Sequence, residues 1–263
     1  MIGAILGDVV GSIYEFDNIK TKDFELFDKE CMFTDDSVMT IAVAEALMEF
    51  EKVTDDEAFK EVLIKAMHKY GRLYPDASYG GRFLVWLLRK STQPYNSFGN
   101  GSAMRVSPVG WYAKTLPEAE KLAELTALVT HNHPEGIKGA VVTAGAIFLG
   151  RMGKSKEEIR GYIEKSYPID FTLDEIRPTY KFNETCQETV PQALAAFLES
   201  ESFEDAIRNA VSLGGDGDTQ ACIAGAIAEA FYGIPDELAE EIFEYIDDDL
   251  QEYYCEYASE LYD

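Results

Sequence analysis

The 263-residue sequence is poor in cysteine, in basic residues and in long apolar runs. Its four cysteines (Cys31, Cys186, Cys222, Cys255) lie far apart and form no C-x-x-C pair. That argues against a disulfide framework or a zinc knuckle, and reduced thiols in a cytoplasmic protein are expected. The opening Met-Ile-Gly-Ala-Ile-Leu-Gly-Asp has no positive n-region and no small-residue cleavage site, so no secretory leader is expected. No apolar run reaches the ~20 residues of a membrane helix. The longest, Gly139 to Gly150, is bounded by Lys138 and Arg151 and reads as a buried helix. Only 23 Lys and Arg face 48 Asp and Glu, giving a net charge of −25. Such a surface repels phosphate backbones, so direct nucleic-acid binding is not expected, whereas metal cations fit. Alternating strands, tandem repeats and Ser/Pro-rich linkers are also missing.

What is present is a folded composition, 46% hydrophobic and 27% charged, with apolar residues at helical spacing. Ile2, Ile5, Val9, Ile13 and Phe16 recur every three or four residues. So do Val38, Ile41, Leu47 and Met48, and Phe59, Val62, Leu63, Ala66, Met67 and Tyr70. A Ser or Thr three residues before an acid predicts capping boxes at Thr54/Glu57, Ser155/Glu158, Thr172/Glu175 and Thr185/Glu188. Pro117, Pro134 and Pro235 stand where first-turn prolines are tolerated. One all-α domain over 1–263 is the economical reading, its helices packed around a central buried layer. Gly3, Gly7 and Gly11 form a smooth stripe on the first helix, which predicts close approach of another helix. From Pro235 onward there are acids but no Lys or Arg, and Leu238, Ile242, Phe243, Ile246 and Leu250 keep helical spacing. This end reads as helix with a solvated acidic face.

The informative acids are those among apolar residues. Asp35 and Asp36 are adjacent, and Asp216 and Asp218 are one residue apart; both pairs precede apolar helices. Residues 1–19, 31–50 and 209–235 contain no Lys or Arg. Asp8, Ser12 and Glu15 make one polar stripe on the first helix. Asp or Thr before a helix is also an ordinary N-cap. Clustered buried carboxylates need compensating positive charge, however, and two divalent cations would balance four aspartates. Hard oxygen donors, including the Thr34 and Thr219 hydroxyls, select Mg²⁺, Mn²⁺ or Ca²⁺ over zinc.

Gly99-Asn100-Gly101-Ser102-Ala103-Met104-Arg105 is a Gly-rich loop whose N–H groups suit phosphate oxygens, with Arg105 available to add charge. It lacks the ending of a Walker A loop. His131 and His133 flank a helix start and read as substrate contact or helix-end cation, while His68 reads as structural. Tyr79, Tyr95 and Phe98 stand before the Gly-rich loop as equal candidates for stacking on a ligand.

Taken together, Gly7-Asp8 through Glu15-Phe16, Phe33-Thr34-Asp35-Asp36-Ser37, the 99–105 loop, Thr130-His131-Asn132-His133 and Gly214-Gly215-Asp216-Gly217-Asp218-Thr219 resemble the ADP-ribosylglycohydrolase family, the group that includes the dinitrogenase-reductase-activating glycohydrolases. The resemblance spans residues 1 to about 233. It implies an all-α fold with a central metal cleft, two Mg²⁺ or Mn²⁺ ions, and hydrolysis of the glycosidic bond joining ADP-ribose to a protein side chain or small conjugate. It implies metal ligation by Thr34, Asp35, Asp36, Asp216, Asp218 and Thr219. Catalytic roles fall to Glu15 and Asp35, Glu15 as base to the attacking water or acid to the leaving group. Gly99, Asn100, Gly101, Ser102, Met104 and His131 are implied as ADP-ribose contacts. Gly217 departs from the family pattern, where a Ser or Thr is common. A non-catalytic ADP-ribose binder or structural relative, and a metal-dependent phosphohydrolase, are the rival readings. The acceptor group, the choice of metal and the oligomeric state are not specified by these motifs.

Overall fold

The computed structural model describes residues 1–53 and 55–261. The first part of the chain forms α1 (Ile2–Ser12), α2 (Asp35–Met48), α3 (Asp56–Leu73), α4 (Gly81–Leu88), α5 (Gly101–Met104), α6 (Ser107–Tyr112) and α7 (Leu116–Leu128). Then follow α8 (Pro134–Arg151), α9 (Lys156–Ile163), α10 (Leu173–Ile176), α11 (Cys186–Leu198) and α12 (Phe203–Ser212). The last are α13 (Gly217–Tyr232), α14 (Asp236–Glu241) and α15 (Asp248–Leu261). No strand occurs among the described residues; Gly99 and Thr185 form one isolated antiparallel bridge. The fold is all-α, as the spacing predicts. No helix among the described residues is long and apolar enough to cross a membrane.

α13 is the central helix, and its residues from Gly217 to Glu229 are buried. Alanine and glycine dominate it, so α1, α12, α11 and α8 pack closely around it. The α1 glycine stripe meets it directly. A Cβ on Gly3 would lie 2.6 Å from the Gly225 carbonyl oxygen, and one on Gly7 would lie 2.6 Å from the Cys222 nitrogen. A Cβ on Gly11 would lie 2.5 Å from the Asp218 Cα. Backbone therefore touches backbone along three turns, which brings Asp8 and Asp218 to the same level of the core. The 139–150 run is buried within α8, as expected, against α7 and α13.

Several local expectations are refined. α1 stops at Ser12 instead of continuing to Phe16, because the Ser12 hydroxyl donates back to the Val9 carbonyl (2.8 Å) and accepts from the Met32 amide (3.1 Å). Glu15 therefore sits in the turn after α1, and Phe16 is 82% exposed. Both halves of the capping box form at Ser155/Glu158 and Thr172/Glu175. Thr185 is the N-cap of α11 but makes no side-chain cap; its hydroxyl donates to Asn183 Oδ1 (2.7 Å). Thr54 lies outside the described residues, and α3 is capped by Asp55, which accepts from the Ala58 amide (2.9 Å). Pro117 and Pro134 stand in the first turns of α7 and α8, whereas Pro235 is the residue before α14. In the acidic end, Ile242, Ile246, Leu250 and Tyr257 turn inward, and α15 packs on α2, where Tyr257 donates to Glu45 (2.8 Å).

Two glycines should respond in opposite directions. Gly7→Ala forces a methyl into α13 backbone that no rotamer can relieve, so a loss of about 3 kcal/mol is expected. Gly161 in α9 has open space around it. Gly161→Ala should gain about 0.5–1 kcal/mol from helix propensity. Urea unfolding of the two variants checks both signs.

Candidate functional site

Two helix N-termini, those of α2 and α13, meet at the middle of α1. Thr34 caps α2 in an extended conformation and its hydroxyl accepts from the Asp36 amide (3.3 Å). Asp8 reinforces the same helix start from α1. It accepts from the Thr34 amide (2.9 Å), the Thr34 hydroxyl (2.7 Å), the Ser37 amide (3.0 Å) and the Ser37 hydroxyl. On the other side Asp216 precedes α13 and Asp218 lies in its first turn, accepting from the Thr219 amide (2.8 Å). The Thr219 hydroxyl donates to Asp36 Oδ2 (3.3 Å), linking the two helix starts. The positive ends of both helix dipoles favour these anions.

The result is a set of carboxylates closer than free carboxylates would stand. One oxygen each from Asp8, Asp36 and Asp218 lie within 4.8 Å of one another, as do oxygens of Glu15, Asp216 and Asp218. Asp218 belongs to both groups. Asp35 stands beside them, half-buried and facing the cleft. Among the described residues none of the six is in an ion pair. Burial first, then the mutual charges, raises the pKa values. Burial with the Asp218 and Asp8 charges pushes Glu15 up to about 8. Burial also pushes Asp216 up to about 6, against the hydrogen bonds from Asp218 and Asn100. Asp35, Asp36 and Asp218 lie well above the ordinary carboxylate range for the same reason. Burial raises Asp8 as well, opposed by its Ser37 and Thr34 donors.

This donor set fits divalent cations. Asp36 Oδ1 is buried without a hydrogen-bond partner, on a carboxylate that belongs to the group with Asp8 and Asp218. The surrounding donors are all hard oxygens. The sequence shows Asp8 in the Asp8–Ser12–Glu15 stripe and in the Gly7-Asp8 motif without assigning it a role, and the structure makes it central.

Most other expected residues line the same cleft: Gly99, Asn100, Gly101, Met104 and His131 all face it. Their duties differ. The Asn100 amide donates to Asp216 Oδ2 (2.6 Å), so it holds a carboxylate. Ser102 corrects the expectation: it is fully buried, its hydroxyl donates to the Gly136 carbonyl (2.7 Å), and it does not line the cleft. Thr34 is buried behind the carboxylates and also lies off the cleft surface. Arg105 is not a free cation for phosphate either. It is 1% exposed and donates to the Thr126 carbonyl and the Thr130 hydroxyl, each at 2.9 Å. Thr130 in turn meets His131 Nδ1 at 2.7 Å, which turns Nε2 toward Gly101. Burial, with Arg105 nearby, holds the His131 pKa well below the usual value, so the ring is neutral. His133 accepts from the Glu135 amide (3.1 Å) at the start of α8, and His68 stacks on Trp86. Sequence reasoning did not select Ser78, Gly80, Arg82, Phe182 or Glu184 as cleft residues. They sit in irregular segments or on a short helix with no local signature. Of the three aromatics, Tyr95 lines the cleft.

Two side chains tie the Glu15 turn to the α13 loop. Asn18 donates to the carbonyls of Tyr14 (2.8 Å), Glu15 (2.8 Å) and Gly215 (3.0 Å). Lys20 donates to the carbonyls of Tyr180 (2.7 Å), Gly214 (3.0 Å) and Leu213. Gly214 has φ +57°, a turn that suits glycine and delivers Asp216 to the cluster.

Fold and site define an all-helical protein with a carboxylate-lined cleft between two helix N-termini, of the kind that holds divalent cations. The family model for ADP-ribosylglycohydrolase matches residues 1–263. The chain belongs to that family. It is 28% identical to the ADP-ribosylhydrolase ARH3 of Mus musculus, over 89% of this chain and 83% of the relative. It is 27% identical to that of Bos taurus, over 89% and 84%. An ADP-ribosylarginine hydrolase Tri1 of Pseudomonas putida (strain GB-1) is 26% identical over 92% of this chain and 72% of its own length. A solved ADP-ribosylglycohydrolase-related protein complex shares the fold, with a TM-score of 0.71 at 22% identity, covering 99% of this chain and 96% of that one.

Two outcomes follow from the geometry. A carboxylate with a raised folded-state pKa binds more protons folded than unfolded, so the metal-free protein loses stability as pH rises from about 4. The loss extends to about 8, where Glu15 ionises. Mg²⁺ or Mn²⁺ competes with those protons. The rise in Tm on adding either ion should therefore grow from pH 5 to pH 8, read by thermal unfolding against EDTA. A metal effect independent of pH would contradict the cluster. Separately, Asn18→Ala should lower kcat about tenfold or more by releasing the Glu15 turn. Because Asn18 is exposed, Tm should change little. Unchanged kcat would show that the turn holds itself.

Proposed function

We propose that this protein hydrolyses the glycosidic bond between ADP-ribose and an acceptor on a protein or small conjugate, with two divalent cations, Mg²⁺ or Mn²⁺. The observation that carries the reading is the pair of carboxylate groups sharing Asp218, with Asp36 Oδ1 unpartnered, in a chain of this family. Asp35, Asp36, Asp216 and Asp218, with the Thr34 and Thr219 hydroxyls, would hold the ions. When bound, the ions supply positive charge that orients ribose hydroxyls and offsets the charge of the cluster. Asp8 anchors the start of α2 and adds a carboxylate to the group containing Asp36 and Asp218.

The relatives named ADP-ribosylhydrolase and ADP-ribosylarginine hydrolase support the substrate class. Glu15 is the proton-transfer residue. Its pKa, pushed up to about 8, suits a group that takes a proton from the attacking water or gives one to the leaving group near neutral pH. Asp35 faces the cleft beside it and meets the sugar. In the 99–101 loop the Gly99 N–H donates to Ser97 Oγ (3.2 Å) and the Asn100 N–H to the Glu184 carbonyl (2.8 Å), so the Gly101 N–H is the one that would meet the diphosphate. The neutral His131 faces that loop through Nε2, and a Cβ on Gly101 would lie 3.3 Å from that atom. The glycine therefore keeps the approach open.

Asp218→Asn should abolish turnover, by at least about 100-fold, and weaken Mg²⁺ or Mn²⁺ binding; Asp35→Asn should abolish turnover too. A panel of ADP-ribosylated acceptors (arginine, serine, nucleobase, small conjugates), assayed with each metal and with EDTA, tests the reading. Release of free ADP-ribose that stops with EDTA supports it. AMP or inorganic phosphate as product would make the protein a phosphohydrolase, and no turnover on any acceptor would leave a binding module.

A further inference from the structure

The acids of this chain leave one long gap. Residues 77–117 contain no Asp or Glu, and they carry Arg82, Arg89, Lys90, Arg105 and Lys114. Two of these cations have duties in the fold. Arg105 is buried on the Thr126 carbonyl and Thr130 hydroxyl. Arg82 lies 5.0 Å from the centre of the Tyr95 ring and donates to the Tyr95 carbonyl. Arg89 and Lys90 are exposed and make no ion pair among the described residues.

Both follow α4, which is apolar on both sides. Its inner side buries Phe83 and Trp86. Its outer side exposes Leu84 (36%), Val85 (46%) and Leu88 (73%). The helix is firmly seated. Trp86 stacks on His68 (4.3 Å, 10°) and Phe83 (5.5 Å, 16°), and its indole N–H donates to the Gln93 carbonyl (3.0 Å). Between α4 and residues 91–95 runs a groove of about 370 Å³, lined by Val85, Trp86, Arg89, Gln93 and Pro94. Gly81, Arg82 and Tyr95 are walls of both this groove and the carboxylate cleft, so the two are continuous. Leu84, Val85, Leu88, Arg89 and Lys90 lie outside the cleft.

We propose that this groove docks an acidic segment, with apolar side chains between its carboxylates, of the protein that bears the ADP-ribose. The inference rests on the hydrolase reading and narrows its substrate to a modified protein. Charge complementarity identifies the occupant. A chain of net charge −25 repels acidic partners over most of its surface. At physiological ionic strength fields are screened beyond about 8 Å, so the local sign decides. The charged residues lining the groove are Arg82 and Arg89, beside Val85 and Trp86, and the exposed Lys90 follows Arg89 directly in the chain. A second copy of this chain would bring −25 against −25.

The test uses the full chain and a synthetic peptide of alternating Asp and Leu without ADP-ribose, titrated by calorimetry and by tryptophan fluorescence. The wild type should bind it. Arg89→Glu with Lys90→Glu should weaken binding about tenfold, the size that two rim charges carry, and Val85→Ser, at an exposed residue that lines the groove, should weaken it as well. With ADP-ribose attached to the same peptide, kcat/KM should fall in parallel for both variants, while turnover of a small ADP-ribose conjugate stays at the wild-type level. No peptide binding by the wild type, equal binding by all three proteins, or equal loss on peptide and small conjugate would overturn the docking site. So would a wild-type dimer in sedimentation that the double variant splits, since a second copy would then fill the groove. Because the peptide titration needs no catalysis, failure of every conjugate to turn over would count against the hydrolase reading alone.

Discussion

Mutual repulsion among six carboxylates (Asp8, Glu15, Asp35, Asp36, Asp216 and Asp218) is the interaction that the rest of this structure is arranged around. Left in an apolar interior, each would protonate or push its neighbour away. The fold answers with oriented donors. The starts of α2 and α13 point their free N–H groups and dipoles at the cluster. Four donors from Thr34 and Ser37 converge on Asp8. Asn100 reaches Asp216. These contacts oppose the raised pKa values without cancelling them, and a deficit of positive charge remains that suits a metal cation.

Backbone proximity makes the arrangement possible. Asp8 lies on α1 and Asp218 on α13, and the two helices meet through Gly3, Gly7 and Gly11 where any side chain would hold them apart. Glycine weakens a lone helix, but here it is offset by burial of α13 along most of its length. The same contact sets the level at which the Glu15 turn leaves α1, and Asn18 and Lys20 then lock that turn to the loop before α13. Chemistry and packing are thus one device: moving the helices apart separates Asp8 from Asp218.

The charge of the surface follows a similar division. Acids crowd the chain end and the cleft, yet the wall formed by residues 77–117 is free of them. An anionic diphosphate approaching a protein of net charge −25 meets least repulsion on that side. The wall is also where the apolar outer face of α4 stands exposed.

The linear chain by itself determined the helical class, the glycine stripe, the two acidic pairs before apolar helices and the shortage of bases around them, because each is a matter of local spacing and composition. Thr34, Asp36, Asp218 and Thr219 were legible on those grounds. Only the tertiary structure decided which acids meet. Asp8 reads as one polar residue on an apolar helix until α2 is laid against it. Asn100 and Ser102 look alike in a Gly-rich loop, yet one holds Asp216 and the other turns away to Gly136. Phe182 and Glu184 reach the cleft from an irregular segment without a motif. The physical reason is common to all of these: side-chain chemistry is local, but the field a carboxylate experiences depends on charges and donors brought from distant parts of the chain, and only packing fixes those distances.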